Sequence, residues 1–148
     1  MVPASPGVLI NKPTLFFFME STTNLELTTI AALAGKQAPK HFNQGDVIFQ
    51  TGEIGDKVYG VVSGQVEMRW GDDRLETIEP GSCFGVGALV DPAHRRFTTA
   101  VASSDCELLL MNREEFLFAV QELPMFSIEM LHGLEQRLQR LHDPGAAA

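Results

Sequence analysis

The rhythm of apolar positions changes twice along the chain. Between residues 23 and 34 the apolar side chains Leu25, Ile30, Leu33 and Ala34, with Leu27 nearby, are spaced for a short helix, which Thr23 or Asn24 caps ahead of Glu26 and Gly35 ends. From His41 to Ser82 the pattern shortens to β-rich runs: Val47-Ile48-Phe49, then residues 58–62, 65–70 and 75–79. Turn pairs at Gly45-Asp46, Gly52-Glu53, Gly55-Asp56, Ser63-Gly64, Gly71-Asp72 and Pro80-Gly81 separate them. Short strands punctuated in this way predict a small β-barrel or jelly roll. Two more strands are expected over residues 97–103 and 107–111. Asn112 then caps a helix over residues 113–121, with Glu115 in its first turn.

Pro124 opens a last helix, expected over residues 125–141. Ser127, Leu131, Leu134, Leu138 and Leu141 fall there at alternating four- and three-residue steps, which makes a narrow leucine seam. It spans about two heptads and contains Gly133, which costs a helix roughly 1 kcal/mol against alanine. The seam has two natural occupants, the barrel of its own chain or the same helix of a second copy, and the second predicts a homodimer held at Leu131, Leu134, Leu138 and Leu141.

The ends carry no such pattern. Three of the eight prolines and the aperiodic Leu15-Phe16-Phe17-Phe18 lie near the start. Residues 1–22 therefore read as an irregular lead-in, 23–142 as the folded unit, and 143–148, after Asp143-Pro144-Gly145, as a disordered tail. At 148 residues and 45% hydrophobic content the chain has the size of one domain with a real core.

A formal charge of -8 and a pI near 4.9 repel a duplex phosphate backbone, and the single local basic feature is Arg95-Arg96. Direct nucleic-acid binding is not expected. Cys83 and Cys106 have no CxxC spacing, so a reducing compartment is the simplest assignment. No apolar run approaches the roughly 18 residues that span a bilayer, and a cytoplasmic location is expected. The histidines at 41, 94, 132 and 142 lack HxH or HExxH spacing and read as surface residues, so neither a metal site nor a cupin-type enzyme is expected.

The candidate chemistry lies between Gly81 and Ala102. Gly81, Gly85 and Gly87 free the backbone for tight turns, and Ala88-Leu89-Val90 supplies one helical turn with its amides pointing forward. Arg95 and Arg96 add planar, forked donors suited to a phosphate. The alternative is a glycine-rich surface turn followed by two solvated arginines.

Gly45-Asp46, Ile48, Gly52-Glu53, Gly55-Asp56, Tyr59, Val61-Val62 and Val66, followed by Phe84-Gly85, Ala88-Leu89 and the arginine pair, together resemble the cyclic-nucleotide-binding domain of catabolite activator proteins and protein kinase A regulatory subunits. The resemblance runs over about residues 25–141. It implies a mainly β fold, a jelly-roll-like β-roll of about eight strands with one N-terminal and two C-terminal helices, in which residues 84–96 form the phosphate-binding cassette. It also implies a phosphate site drawn from Gly85, Gly87, Ala88, Leu89, Arg95, Arg96, Phe97 and Thr98. Counting forward from Leu89 selects Arg95 as the phosphate arginine, and counting back from Ala102 selects Arg96. Arg96 is favoured because Thr98, Ala100 and Ala102 then share its strand face as small inward residues. Glu53, Asp56 and Tyr59 are assigned to turns and core rather than to the site.

Two departures stand out. The position that holds the ribose 2′-hydroxyl in the family is usually glutamate and here is Val86, and Phe97 takes a place that is usually small or hydroxylic. The implied function is a stand-alone regulatory sensor, without a cofactor, that binds cAMP or cGMP weakly and signals through its last helix to a downstream protein. The alternative is a degenerate member of the fold, its pocket filled by Val86 and Phe97, that serves as an interaction or dimerisation module. A DNA-binding regulator would need a helix-turn-helix, for which no segment is expected after the last helix.

Overall fold

The computed structural model describes residues 29–31, 34–35 and 37–142. The expected lead-in over 1–22, the tail over 143–148, the caps at Thr23 and Asn24 and most of the first helix lie outside the described residues. Residues 29–31 are helical, with Ile30 buried, and Gly35 follows at φ 70°.

The elements run β1 (Lys40–Phe42), β2 (Val47–Phe49), β3 (Lys57–Ser63), β4 (Val66–Trp70), β5 (Asp73–Ile78), β6 (Cys83–Phe84), α1 (Gly87–Val90), β7 (Thr99–Ala102), β8 (Cys106–Asn112), α2 (Arg113–Glu122) and α3 (Pro124–His142). They form two four-stranded sheets, ordered β1-β8-β3-β6 and β2-β7-β4-β5, with antiparallel pairing throughout. Apart from the β4–β5 hairpin, successive strands pass between the sheets in the manner of a jelly roll, the expected mainly β class with flanking helices.

The first sheet is buried on both faces, and its sequence shows it. Tyr59, Val61, Phe84, Cys106 and Leu108 point into the core between the sheets, while the intervening Val58, Cys83, Leu109 and Met111 pack on the helix side. Side chains alternate across a strand, so a strand covered on both faces becomes a continuous apolar run, as in Leu108-Leu109-Leu110-Met111. The second sheet contributes Phe49, Val66, Met68, Ile78 and the small Ala100 and Ala102 to the inter-sheet core. Cys83 and Cys106 therefore lie on opposite faces of the first sheet.

The helices close the helix-side core with Phe116 and Ala119 from α2 and Phe126 and Met130 from α3. Complete burial of a side chain such as Phe126 is worth about 1.5–3 kcal/mol, so it anchors the start of α3. Asn112 is both the last residue of β8 and the cap of α2. Its side chain accepts from Glu115 N at 2.9 Å, and Glu115 Oε1 accepts from Asn112 N at 2.8 Å, the reciprocal capping expected there. Only Leu123 separates α2 from α3.

Three strand expectations are corrected. β1 and β6, of three and two residues, are too short to show a period, and they were not anticipated. The strand expected over residues 97–103 is confined to Thr99–Ala102. Its early part is diverted because Arg96 N donates to Glu53 O at 2.7 Å and Arg96 O accepts from Gly52 N at 2.8 Å, which ties this backbone to the 52–55 turn. Among the described residues no helix is long and apolar enough to cross a membrane.

Candidate ligand-binding site

β6 delivers the chain into the cassette. Phe84 stacks on Tyr59, ring centroids 5.1 Å apart and planes within 10°, and Gly85 follows at φ 90°, a conformation that favours glycine. Val86 then takes helical dihedrals and opens the single turn of α1 without a side-chain cap, while Leu89 N donates to Val86 O at 2.9 Å. Ala88 and Leu89 are buried beneath the turn, and Gly87 and Val90 face out. The expected helical turn is thus present.

The two arginines part company. Arg95 is exposed, and its Nη1 donates to Gly52 O at 2.6 Å. Arg96 is 5% exposed, the one buried charged residue among those described. Its Nη1 donates to Gly85 O at 2.6 Å and its Nη2 to Lys57 O at 2.8 Å, while the guanidinium carbon lies 4.0 Å from the Phe49 ring centroid. Nε is buried without a partner, and among the described residues no carboxylate pairs with Arg96. Burial pulls its pKa below the ordinary value, against the pull of Tyr59, Asp56 and Glu53, and it remains a cation. Gly55 makes this burial possible, since a Cβ there would overlap the guanidinium.

Phe97 is 69% exposed and packs edge-on against Trp70, ring centroids 4.3 Å apart. The expectation that it fills the pocket is corrected: the aromatic contact with the end of β4 holds it outside. Thr98 is half-buried, and Thr99 is engaged with Thr51, their hydroxyls 3.1 Å apart. His94, read from sequence as a surface residue, is half-buried at φ 56°. Its Nδ1 donates to Ala88 O at 3.0 Å, and Arg113 Nη1 donates to its Nε2, so the cassette is fastened to the first residue of α2.

A cavity of about 80 Å³ separates α3 from β6 and the cassette, bounded by Phe84, Val86, Glu129, Met130, Leu134 and Arg137 among others. Arg137 seals one side with a forked pair to Glu76, Nε to Oε1 at 3.0 Å and Nη2 to Oε2 at 2.9 Å, and its Nη1 donates to Cys83 O at 3.0 Å. Glu129 Oε2 is buried without a partner. Leu134 is half-buried against this cavity, whereas Leu131, Leu138 and Leu141 stay 62%, 61% and 41% exposed, so those three do not pack on their own barrel.

Sequence reasoning missed Gly55, Glu76, Glu129 and Arg137. Glu76 and Arg137 are 61 positions apart and no local signal pairs them. Among the described residues no cluster of His, Cys, Asp and Glu could hold a metal ion.

Residues 39–122, more than half of the chain, match the profile of the cyclic nucleotide-binding domain. The chain belongs to the cyclic nucleotide-binding domain family. It is 35% identical over 103 residues to the cyclic AMP receptor protein of Thermus thermophilus, covering 66% of this chain and 47% of the relative. The crystal structure of the Thermus thermophilus catabolite activator protein superposes with a TM-score of 0.63 at 32% identity, covering 78% of this chain and 55% of that one. A cAMP-dependent protein kinase regulatory subunit from Eremothecium gossypii is 35% identical over 101 residues, 68% of this chain and 21% of the relative. A solved chain from a cyclic-GMP-dependent signalling pathway that regulates bacterial phytopathogenesis gives a TM-score of 0.64 at 27% identity, covering 78% and 92%. The chain thus spans about half or less of the curated relatives it matches. These relatives are regulatory proteins, and the β-roll with its C-terminal helices is the fold of this family.

Proposed function

We propose that this cyclic nucleotide-binding domain is a regulatory sensor that takes the cyclic phosphate of cAMP or cGMP on Arg96 and the adjoining cassette, binds it weakly, and answers through α3. The carrying observation is Arg96 itself, a buried cation with no carboxylate partner among the described residues and with Nε unsatisfied. An unpaired buried charge costs several kcal/mol, and an anion is what offsets that cost. Arg95, exposed and committed to Gly52 O, is not the phosphate residue in this reading. Weakness follows from Val86: losing one charge-assisted hydrogen bond to a ribose hydroxyl removes about 1.5–3 kcal/mol, or one to two decades of affinity.

Titration calorimetry with cAMP and cGMP, beside a thermal shift at millimolar nucleotide, tests the reading. Nucleotide at 100 times its dissociation constant adds about 2.7 kcal/mol of stability, a shift of a few degrees. Silence in both measurements for both nucleotides refutes the sensor. The competing reading, a non-binding interaction module, draws on the cavities: about 80 Å³ beside α3 and about 210 Å³ at Arg96 both fall below the roughly 300 Å³ at which small-molecule pockets begin. The sensor reading therefore requires α3 to shift when nucleotide enters, and the module reading requires that it never does.

A further inference from the structure

We infer that the unpaired edge of β5 is a docking site for an extended acidic peptide of a partner protein, which adds to the sheet as a further strand. β5 ends the sheet ordered β2-β7-β4-β5, so one of its edges has no neighbouring strand. Among the described residues no backbone hydrogen bond outside the β4–β5 pair involves Asp73–Ile78. Such an edge is a template for another chain. A groove of about 740 Å³ runs along it. Residues 74–80 line that groove in unbroken succession, whereas a groove on one face of a sheet would meet alternate residues, so it follows the edge itself. The facing wall is Arg137, Arg140 and Leu141, at the spacing of one side of α3. None of residues 84–96 lines the groove, so it is separate from the nucleotide site proposed above.

The charges choose the occupant. Arg74, Arg137 and Arg140 line the groove against Glu76 and Glu79. Arg137 and Glu76 neutralise each other in their fork, and Glu79 accepts from Gln65 Nε2 at 2.9 Å. Arg74 and Arg140 are exposed, and among the described residues neither has a carboxylate partner. In a chain of formal charge -8 the groove thus carries a local excess of positive charge, which attracts carboxylates and turns away basic segments. Leu75 and Leu141, 37% and 41% exposed, give the peptide's apolar side chains a surface to cover. Main-chain pairing supplies the affinity in this mode, and the side chains along the groove supply the choice of sequence. Because Glu76 and Arg137 bridge the two walls, the position of α3 sets the width of the groove.

Heteronuclear NMR titrations of the whole chain with end-capped peptides of about seven residues test the assignment. One peptide alternates valine and aspartate, a second alternates valine and lysine, and a third is the acidic sequence with its two central residues replaced by proline. The acidic peptide should move the amides of residues 74–78 and 137–141. The basic peptide should bind roughly tenfold more weakly or worse, and so should the proline peptide, which lacks main-chain donors and cannot continue a ladder. Arg74→Gln with Arg140→Gln should weaken the acidic peptide about tenfold. Both side chains are exposed, so this variant should melt with wild type, which serves as the folding control. A basic peptide that binds as well as the acidic one, shifts that fall elsewhere, or a variant of wild-type affinity overturns the site. No binding of the acidic peptide at millimolar concentration also overturns it, and β5 amides already protected from hydrogen exchange in a wild-type dimer assign the edge to a second copy instead. None of these measurements contains nucleotide, so their failure leaves the sensor reading standing.

Discussion

The guanidinium of Arg96 lies over the ring of Phe49, its central carbon 4.0 Å from the centroid, so the end of the cassette is held to β2 through a cation and an aromatic face. Gly55 lies so close that a Cβ there would overlap the guanidinium. A charge that would ordinarily seek water is therefore held against a ring and close to a backbone, with two carbonyls as its only hydrogen-bond partners among the described residues.

Two opposed effects set the outcome of Arg96→Met. Removing the buried charge relieves desolvation, while the carbonyls of Gly85 and Lys57 each lose a donor at a cost of about 1–3 kcal/mol. The side chain keeps its bulk against Phe49, so stability should stay within about 2 kcal/mol of wild type, whereas Arg96→Ala, which also leaves a cavity, should lose about 3 kcal/mol or more. Urea denaturation checks the ranking. Both variants should lose all nucleotide-dependent thermal shift, and a shift that survives in Arg96→Met removes Arg96 from the site.

Gly55→Ala and Gly87→Ala should differ sharply. A methyl at Gly55 overlaps Arg96, whereas one at Gly87 meets nothing within 4 Å. Overpacking at Gly55 should cost about 1–3 kcal/mol, and the helical Gly87 should tolerate alanine or gain up to about 1 kcal/mol. Equal midpoints for the two variants would contradict the packing described around Arg96.

Arg137 and Glu76 form a fork whose side chains are both only 16% exposed. Such a pair is less screened than a surface bridge, and breaking it from one side strands the other charge. Arg137→Met and Glu76→Gln should each cost about 1–3 kcal/mol, and the double variant less than the sum of the two. Additive losses in a double-mutant cycle would mean that the pair does not hold α3 to β5.

The histidine at the edge of the first sheet carries a pH signature. The His41 pKa is raised by the hydrogen bond from its Nδ1 to Glu107 Oε2 at 2.5 Å, and next by that with Asn43. A histidine raised above its unfolded value contributes stability that is full below the unfolded pKa and fades as pH rises through the folded one. His41→Gln should remove that near-neutral slope from the stability profile. An NMR titration placing His41 at or below the ordinary imidazole value would contradict it.

Leu131 and Leu138, each more than 60% exposed, motivate a homodimer through α3. Light scattering should give a dimer for wild type and a monomer for Leu131→Lys with Leu138→Lys. A monomeric wild type at micromolar concentration ends the proposal, and a dimer that survives the lysines moves its interface elsewhere. Leu134, turned toward the cavity, is a poorer probe than its place in the heptad suggested.

Much of the fold was legible because its physics is local. The two-residue alternation separates Val58 from Tyr59, and the Asn112 to Glu115 capping signal places the start of α2 correctly. The site was legible only in outline. Phe84-Gly85 and the small residues of α1 marked the cassette, but an arginine in a sequence looks solvated, and nothing nearby announces that Gly55, some forty positions earlier, makes room to bury it. Phe97 misled in the opposite sense, because its partner Trp70 is a neighbour in space alone. Glu129 and Arg137 lie in a helix whose leucines drew attention to its outer edge.

Asn112 ends β8 and caps α2, so the junction between sheet and helix contains no residue that could act as a swivel. With His94 clamping the cassette to Arg113, α2 is mechanically an extension of the barrel. The first residue downstream that belongs to neither helix is Leu123, at φ -129° and ψ 76°, directly before Pro124. A rotation about Leu123 would swing α3 as one piece, and the Arg137 fork to Glu76, fourteen residues along, is the contact that opposes it.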